Sequence, residues 1–175
     1  FRTCLKNNFR NLKASLCGIF CPHSVAAARY AETFRSVQSD LQKTDRREMA
    51  GKGADSMAEI YRVEKGSEEW KYKAYDYVRT DAFCFGQNIP IELEFGHDES
   101  KDDLQAILLV EDHKPVAGCR IAFPDEKTGK IERVCVVREK QKGGYGRILI
   151  KEAEEWLKEY GIQHIVISSQ DRAAG

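Results

Sequence analysis

The 175-residue chain carries 28 basic and 28 acidic residues, so its net charge gives no general attraction to nucleic acid or to an anionic membrane. Its length suits one substantial domain with a smaller appended piece, and 42% hydrophobic with 32% charged residues is typical of soluble globular proteins. No apolar run approaches the roughly 18 residues of a membrane-spanning helix. The composition therefore predicts neither a nucleic-acid partner nor a membrane span.

The first part of the chain is predicted to be a helical segment of unknown role, residues 1–50. Apolar residues recur there at helical spacing: Tyr30, Phe34, Val37 and Leu41. This periodicity predicts one amphipathic helix over residues 24–47. A small, polar, glycine-bearing stretch follows at residues 51–57 and is predicted to be a linker. Residues 58–175 then form the second predicted domain.

That second domain is predicted to begin with a strand at residues 60–63 and a helix from Ser67, the predicted N-cap, to about Phe85. The residues predicted to face the core are Trp70, Ala74, Tyr77, Val78 and Ala82. The sequence Asn88-Ile89-Pro90 ends the helical pattern and begins a predicted loop. This loop is rich in carboxylates: Glu92, Glu94, Asp98 and Glu99.

Three strand patterns follow and predict an antiparallel meander, at residues 106–110, 116–122 and 131–137. The period then changes to that of a helix that begins near Tyr145 and ends at Gly161. The residues predicted on its apolar face are Tyr145, Leu149, Ala153, Trp156, Leu157 and Tyr160. A final strand at residues 164–168 should lie parallel to the third, because a helix connects them. The predicted class is α+β: a mixed, mostly antiparallel sheet flanked by helices, with an N-terminal helical extension.

The turn between the third strand and the long helix has a composition suited to phosphate. Glycines at 143, 144 and 146 let backbone N–H groups approach a ligand, and a helix start offers unpaired donors and a positive dipole end. Lys142 and Arg147 add positive charge. The same pattern also occurs in ordinary glycine-rich connections. A dinucleotide-binding fingerprint fits less well, because the Gly-x-Gly-x-x-Gly spacing is absent and the preceding strands form hairpins.

The order of these elements, together with the Gln-x-x-Gly-x-Gly turn, resembles the GNAT acyltransferases over residues 59–170. The most specific stretch is ERVCVVREKQKGGYGRILI at residues 132–150, supported by DAFCFGQNIPIELEF and VEDHKPVAGCRI upstream. The resemblance implies acetyl-CoA as co-substrate, its pantetheine arm along the third strand of the meander and its diphosphate in the turn. The residues so assigned are Val134, Cys135, Val136, Gln141, Lys142, Gly143, Gly144, Tyr145, Gly146 and Arg147.

The resemblance further implies direct transfer of an acetyl group to a primary amine, with backbone N–H groups of residues 134–136 polarising the thioester. An alkyl amine has a pKa of about 10.4, so a base must accept its proton, and Glu132 is the predicted catalytic residue. The alternative for Glu132 is a solvated residue or an ion-pair partner of Arg133. Glu92 and Glu94 could bind a cationic acceptor or be solvated. The tyrosine acid common in this family would follow Gly175, so the domain is predicted to lack its C-terminal end.

The six cysteines favour a reducing compartment, and we predict a cytoplasmic protein without a signal peptide. They are Cys4, Cys17, Cys21, Cys84, Cys119 and Cys135. Cys135 is predicted to pack rather than to act as a nucleophile, since no histidine lies near it in sequence. The spacing Cys17-x-x-x-Cys21 matches no metal signature, so no metal is predicted, and a fragment of a zinc or iron–sulfur site is the alternative.

Three functions of different class follow from this sequence. The first is an active N-acetyltransferase whose partners are acetyl-CoA and an amine, either a small molecule or a protein amine. The second is a non-catalytic acyl-CoA-binding or sensing module attached to a larger protein. The third is a metal- or redox-responsive N-terminal unit with an accessory acyltransferase fold. The identity of the acceptor and the acyl length do not follow from the residues, and a homodimer is left open.

Overall fold

The computed structural model describes residues 30–33, 35–40, 58–96 and 103–168. The predicted linker and the three N-terminal cysteines lie outside them. The elements are α1 (residues 30–33 and 35–40), β1 (Glu59–Val63), α2 (Glu69–Arg79), a π-helix (Thr80–Phe85), α3 (Ile91–Phe95), β2 (Gln105–Glu111), β3 (Lys114–Asp125), β4 (Thr128–Val136), a 3-10 turn (Arg138–Lys140), α4 (Tyr145–Glu159) and β5 (His164–Ile167). Within these ranges, no helix is long and apolar enough to cross a membrane.

The five strands form one sheet in the order β1-β2-β3-β4-β5. The first three pairings are antiparallel, and β4 and β5 are parallel. Asp112 and His113, both with positive φ, make the tight turn between β2 and β3. The predicted meander, the parallel last strand and the α+β class are confirmed.

Helices cover both faces of the sheet, and two glycines show which residues face which helix. A Cβ on Gly118 would lie 2.9 Å from Tyr75 Cδ2 of α2, whereas a Cβ on Gly129 would lie 2.4 Å from Leu157 Cδ2 of α4. Successive residues of a strand point to opposite faces. Ile131 therefore faces α4 with Gly129, and Lys130 faces the side of the sheet that α2 occupies.

The long helix α4 buries most of its predicted apolar face. Leu149, Ala153, Trp156 and Leu157 are buried, as the periodicity predicted. Tyr160 was predicted to be on that face but is 50% exposed. It follows the last helical residue and stacks edge-on against Phe123 at the surface, with ring centroids 5.3 Å apart.

Two local predictions between residues 67 and 95 were wrong. Glu68, not Ser67, is the N-cap of α2, because the Ser67 hydroxyl instead accepts the backbone N–H of Glu64 at 3.0 Å. Tyr77, which was predicted to face the core, is half-buried and packs against it, and Tyr75 on the same helix is fully buried. The predicted carboxylate loop contains the short helix α3, whose Glu94 is buried.

Two buried tyrosines of α2 differ in whether their hydroxyl groups are hydrogen-bonded. Removal of the two hydroxyl groups is therefore expected to change the stability in opposite directions. The Tyr75 hydroxyl is buried without a hydrogen-bond partner, whereas the Tyr72 hydroxyl donates to the Glu64 carbonyl at 2.5 Å. An unsatisfied buried polar group destabilises the folded state. We expect Tyr75→Phe to raise the free energy of unfolding by about 1 kcal/mol, and Tyr72→Phe to lower it by about 1 kcal/mol. Urea denaturation measures both, and equal effects of the same sign would contradict the expectation.

Candidate active site

The candidate site begins where β4 continues past its pairing with β5. The two strands pair from Thr128 with His164 to Ile131 with Ile167, and the Ser168 N–H then donates to the Ile131 carbonyl at 3.1 Å. Residues 132–136 of β4 extend beyond this last pair. One edge of β4 therefore lacks a β5 partner at this end, within the part of the chain that the structure describes.

A β-bulge marks the same point on the other edge of β4. Gly118 pairs with Cys135 and Arg120 pairs with Glu132, so one residue of β3 is opposite two residues of β4, Arg133 and Val134. Arg133 has a φ of 54°, which a non-glycine residue rarely adopts. Bulges redirect side chains and often lie beside active sites. Here the bulge turns Arg133 towards α3.

The end of β4 presents backbone groups to the open edge. The Val137 N–H donates to the Val116 carbonyl at 2.9 Å, towards β3. Because backbone groups of adjacent strand residues point in opposite directions, the N–H and carbonyl of Val136 point away from β3. The Gln141 side-chain amide reaches this carbonyl at 3.4 Å. By the same alternation, the backbone of Cys135 points to β3.

The turn after β4 ends in a helix start with unused donors. Gly144, with a φ of 84°, is the N-cap of α4, and no side chain caps the helix. The N–H groups of Arg147 and Ile148 both donate to the Gly144 carbonyl, at 3.0 and 3.4 Å. Tyr145 and Gly146 precede the first residue that can use that carbonyl, so their N–H groups are the free donors of the helix start.

The space in front of these donors is open. A Cβ built on Gly144 or on Gly146 would meet no atom within 4 Å. Lys142 and Arg147 are exposed on either side. Gly143 differs, because its Cβ would lie 2.6 Å from Tyr145 Cε2. Open space, free N–H groups and two cations together suit a phosphate group.

A carboxylate on β2, which the sequence analysis did not identify, contacts the turn after β4. Glu111 accepts the Tyr145 hydroxyl at 2.7 Å and binds the Lys140 ammonium. The Lys140 hydrogen bond, followed by that of Tyr145, lowers the pKa of Glu111. Lys140 is thereby paired to protein, whereas within the described ranges no ion pair is formed by Lys142 or Arg147.

A second missed carboxylate, Asp81 of the π-helix, anchors the beginning of the turn. It is buried and accepts the Arg138 backbone N–H at 2.7 Å and its guanidinium at 3.0 Å. The Tyr30 hydroxyl of α1 donates to the same carboxylate at 2.9 Å, and burial raises the pKa of Tyr30. Asp81 thus joins the N-terminal helix to the segment that leads into the glycine turn.

The predicted base, Glu132, lies just before the bulge. Its carboxylate pairs with the Lys130 ammonium at 2.6 Å and with Arg120 Nε at 3.4 Å. Its side chain is 18% exposed. Its ion-pair partners are therefore Lys130 and Arg120, and the alternative pairing with Arg133 is not formed.

Arg133 instead pairs with Glu94, which corrects the proposal that Glu94 could bind a cationic acceptor. The Glu94 side chain is fully buried, with Oε1 2.8 Å from Arg79 Nε and Oε2 2.5 Å from Arg133 Nη1. A buried carboxylate held by two guanidinium groups has no access to a ligand. Glu92, on the same helix, is exposed.

Cys135 occupies a packing position. Its thiol is buried and donates to the Gly118 carbonyl at 3.3 Å, and burial raises its pKa, so the nucleophilic thiolate is disfavoured. Among the described residues, no group of three or more His, Cys, Asp or Glu side chains is placed to hold a metal ion.

Comparison with known proteins gives one family over most of the chain. A family model described as the acetyltransferase (GNAT) family matches residues 56–175, and one described as a family of unknown function (DUF6783) matches residues 5–38. A Bacillus subtilis (strain 168) protein, named as a candidate acetyltransferase, is 33% identical over 110 residues, which are 62% of this chain and 74% of that protein.

Solved structures share the fold at low sequence identity. A candidate N-acetyltransferase from Lactobacillus plantarum has a TM-score of 0.60 at 21% identity, covering 66% of this chain and 77% of that one. The aminoglycoside N-acetyltransferase AAC(6')-Iy, solved in complex with CoA, has a TM-score of 0.51 at 11% identity, covering 70% of this chain and 83% of that one. Because the family model spans more than half of the sequence, the chain belongs to the acetyltransferase (GNAT) family and is an acyltransferase.

Proposed function

We propose that this chain transfers an acetyl group from acetyl-CoA directly to a primary amine. The proposal rests on one observation: two features suited to acetyl-CoA lie side by side at one end of β4. The open edge of the strand lies beside a helix start whose N–H groups face open space. An extended thioester substrate with a diphosphate needs both features.

The diphosphate would bind the N–H groups of Tyr145 and Gly146, with Lys142 and Arg147 supplying positive charge. The pantetheine arm would lie along the open edge of β4 and hydrogen-bond to the backbone of Val136. CoA in the complex of AAC(6')-Iy, which shares this fold, supports the choice of donor. The backbone N–H groups near Val134 would polarise the thioester carbonyl.

The amine side of the reaction requires a proton acceptor. The amine nitrogen attacks the thioester carbon with its lone pair, the C–S bond breaks, and sulfur leaves with the bonding electrons. One proton of the amine must be removed, and we assign its acceptance to Glu132, directly or through one water. The position of Glu132 beside the bulge, part-exposed on β4, supports this assignment.

Calorimetry of acetyl-CoA binding, followed by an assay of CoA thiol release with a panel of primary amines, tests the proposal. Binding with amine-dependent thiol release would support direct transfer. Binding without release from any amine would favour the acyl-CoA-binding module instead. A folded chain that does not bind acetyl-CoA would refute the donor assignment.

Glu132→Gln is expected to lower kcat about 100-fold, because the amide cannot accept the proton that a general base removes. The acetyl-CoA Kd should change by less than about twofold, since Glu132 makes no contribution to the diphosphate turn. Glu126→Gln, at an exposed position of the β3–β4 turn, is the matched control and should retain the parental kcat. Equal kcat values for the two variants would remove Glu132 from the proposed chemistry.

A further inference from the structure

The side of β3 and β4 towards α2 carries a set of charged residues that we define as the cationic face: Arg120, Lys130, Glu132 and Arg133. The glycine contacts above place Gly118 towards α2 and Gly129 towards α4. Strand alternation therefore places Arg120, Lys130 and Glu132 on the α2 side. The bulge brings Arg133 to the same side, where it binds Glu94.

Of the four residues that define this face, three carry a positive charge and one carries a negative charge. The side chains of Arg120, Lys130 and Arg133 are 25%, 32% and 36% exposed. Among these four residues, Glu132 is the one carboxylate, and both Lys130 and Arg120 are bound to it. Arg133 forms an ion pair with Glu94, whose side chain is fully buried and therefore inaccessible to a ligand. Among the described residues of this face, three cations therefore surround one part-exposed carboxylate, the predicted base.

We propose that the acceptor is a primary amine that also carries an anionic group, a carboxylate or a phosphate, and that Lys130 and Arg120 bind this group. The inference rests on the proposed function and specifies its substrate class. An anion on these cations would place the amine of a compact molecule near Glu132. A polyamine would instead bring further positive charge to a face that already has an excess, and like charges at close range are unfavourable.

The same contact would also act on Glu132. With no acceptor present, the Glu132 carboxylate is bound to both Lys130 and Arg120. When the acceptor anion binds these cations, it competes with Glu132 for them. Glu132 then accepts the amine proton as the C–N bond forms and the C–S bond breaks, with the thiolate leaving on CoA and the proton passing from Glu132 to solvent.

Matched amines test this substrate class in the CoA-release assay at saturating acetyl-CoA. The pairs are 4-aminobutyrate with butylamine and O-phosphoethanolamine with ethanolamine, and spermidine represents a cationic acceptor. We expect the member that carries the carboxylate or phosphate in at least one pair to exceed the partner that lacks it at least tenfold in kcat/KM, roughly the effect of one charge-assisted contact. The two pairs show whether carboxylate or phosphate is preferred.

Turnover of butylamine, ethanolamine or spermidine at the same efficiency as the amines that carry a carboxylate or phosphate would overturn the inference and leave the proposed function standing. Acetyl-CoA binding without turnover of any of the five amines would also overturn the inference that the acceptor is a compact amine with a carboxylate or phosphate. Loss of acetyl-CoA binding itself would refute the proposed function, so the two failures are distinguishable.

Lys130→Met separates recognition of the anion from general damage to the fold. It keeps the length of the side chain and removes the charge, and we expect the preference for the amine with a carboxylate or phosphate to fall below about threefold. The acetyl-CoA Kd should stay within about twofold of the parent. Lys127→Met is the matched control, because Lys127 is an exposed lysine on the same β3–β4 hairpin. An unchanged preference in Lys130→Met, or an equal loss in Lys127→Met, would contradict the assignment of Lys130.

Discussion

Gly146→Glu is expected to weaken acetyl-CoA binding on the order of 1000-fold, because juxtaposed like charges cost several kcal/mol. The new carboxylate would occupy the open space in front of the helix start, where the diphosphate is proposed to bind. The fold should be preserved, since a Cβ at Gly146 meets no atom within 4 Å. Gly144 is a poorer position for this test, because its φ of 84° would strain any side chain.

Isothermal titration calorimetry of acetyl-CoA into the parent and the variant measures the effect. Lys151→Gln is the control: it changes net charge by the same amount on the same helix, at a side chain that is 78% exposed and more than one turn beyond the site. We expect its Kd to stay within about threefold of the parent, since exposed charges are screened by salt. Comparable weakening in both variants would indicate a general electrostatic effect and not a diphosphate site. Parental affinity in Gly146→Glu would place the ligand elsewhere.

Local sequence patterns predicted the scaffold. Short apolar runs indicated β2 and β3, which are buried on both faces, and the helical period of α4 indicated the crossover that makes β5 parallel to β4. The glycine turn was also visible, since its composition is local. These features depend on residues close together in the sequence, which is why they could be predicted without coordinates.

The contacts that shape the site join distant parts of the chain, and the sequence holds no local sign of them. Glu111 meets Tyr145, and Asp81 meets Arg138, across separations of 34 and 57 residues. The bulge at Arg133 was missed for the same reason. Its positive φ accompanies an ion pair with Glu94, 39 residues away, and Glu94 itself was assigned to a loop.

Glu94→Ala is expected to lower the free energy of unfolding by roughly 3–5 kcal/mol, the cost of breaking a buried ion pair from one side. The Arg79 side chain is only 5% exposed, so its guanidinium would lose its closest carboxylate partner in a place where water cannot replace it. Arg79 also donates from Nη2 to the Glu94 backbone carbonyl at 3.0 Å. Alanine at position 94 would keep this hydrogen bond, but a carbonyl does not compensate the positive charge of the guanidinium. Arg133, the bulge residue, would lose its partner as well.

Urea denaturation of the parent, Glu94→Ala and Glu92→Ala measures this cost on a single helix. Glu92 is exposed two residues earlier, so its removal should change the free energy of unfolding by less than about 0.5 kcal/mol. Glu94→Gln should fall between the two, because an amide oxygen can still accept from one arginine but carries no charge. A loss below about 1 kcal/mol in Glu94→Ala would mean that water or Asp76, 3.9 Å from Arg79, already compensates the arginine. The expected large loss would show that this buried carboxylate stabilises the fold through Arg79 and through Arg133, the bulge residue beside the proposed base.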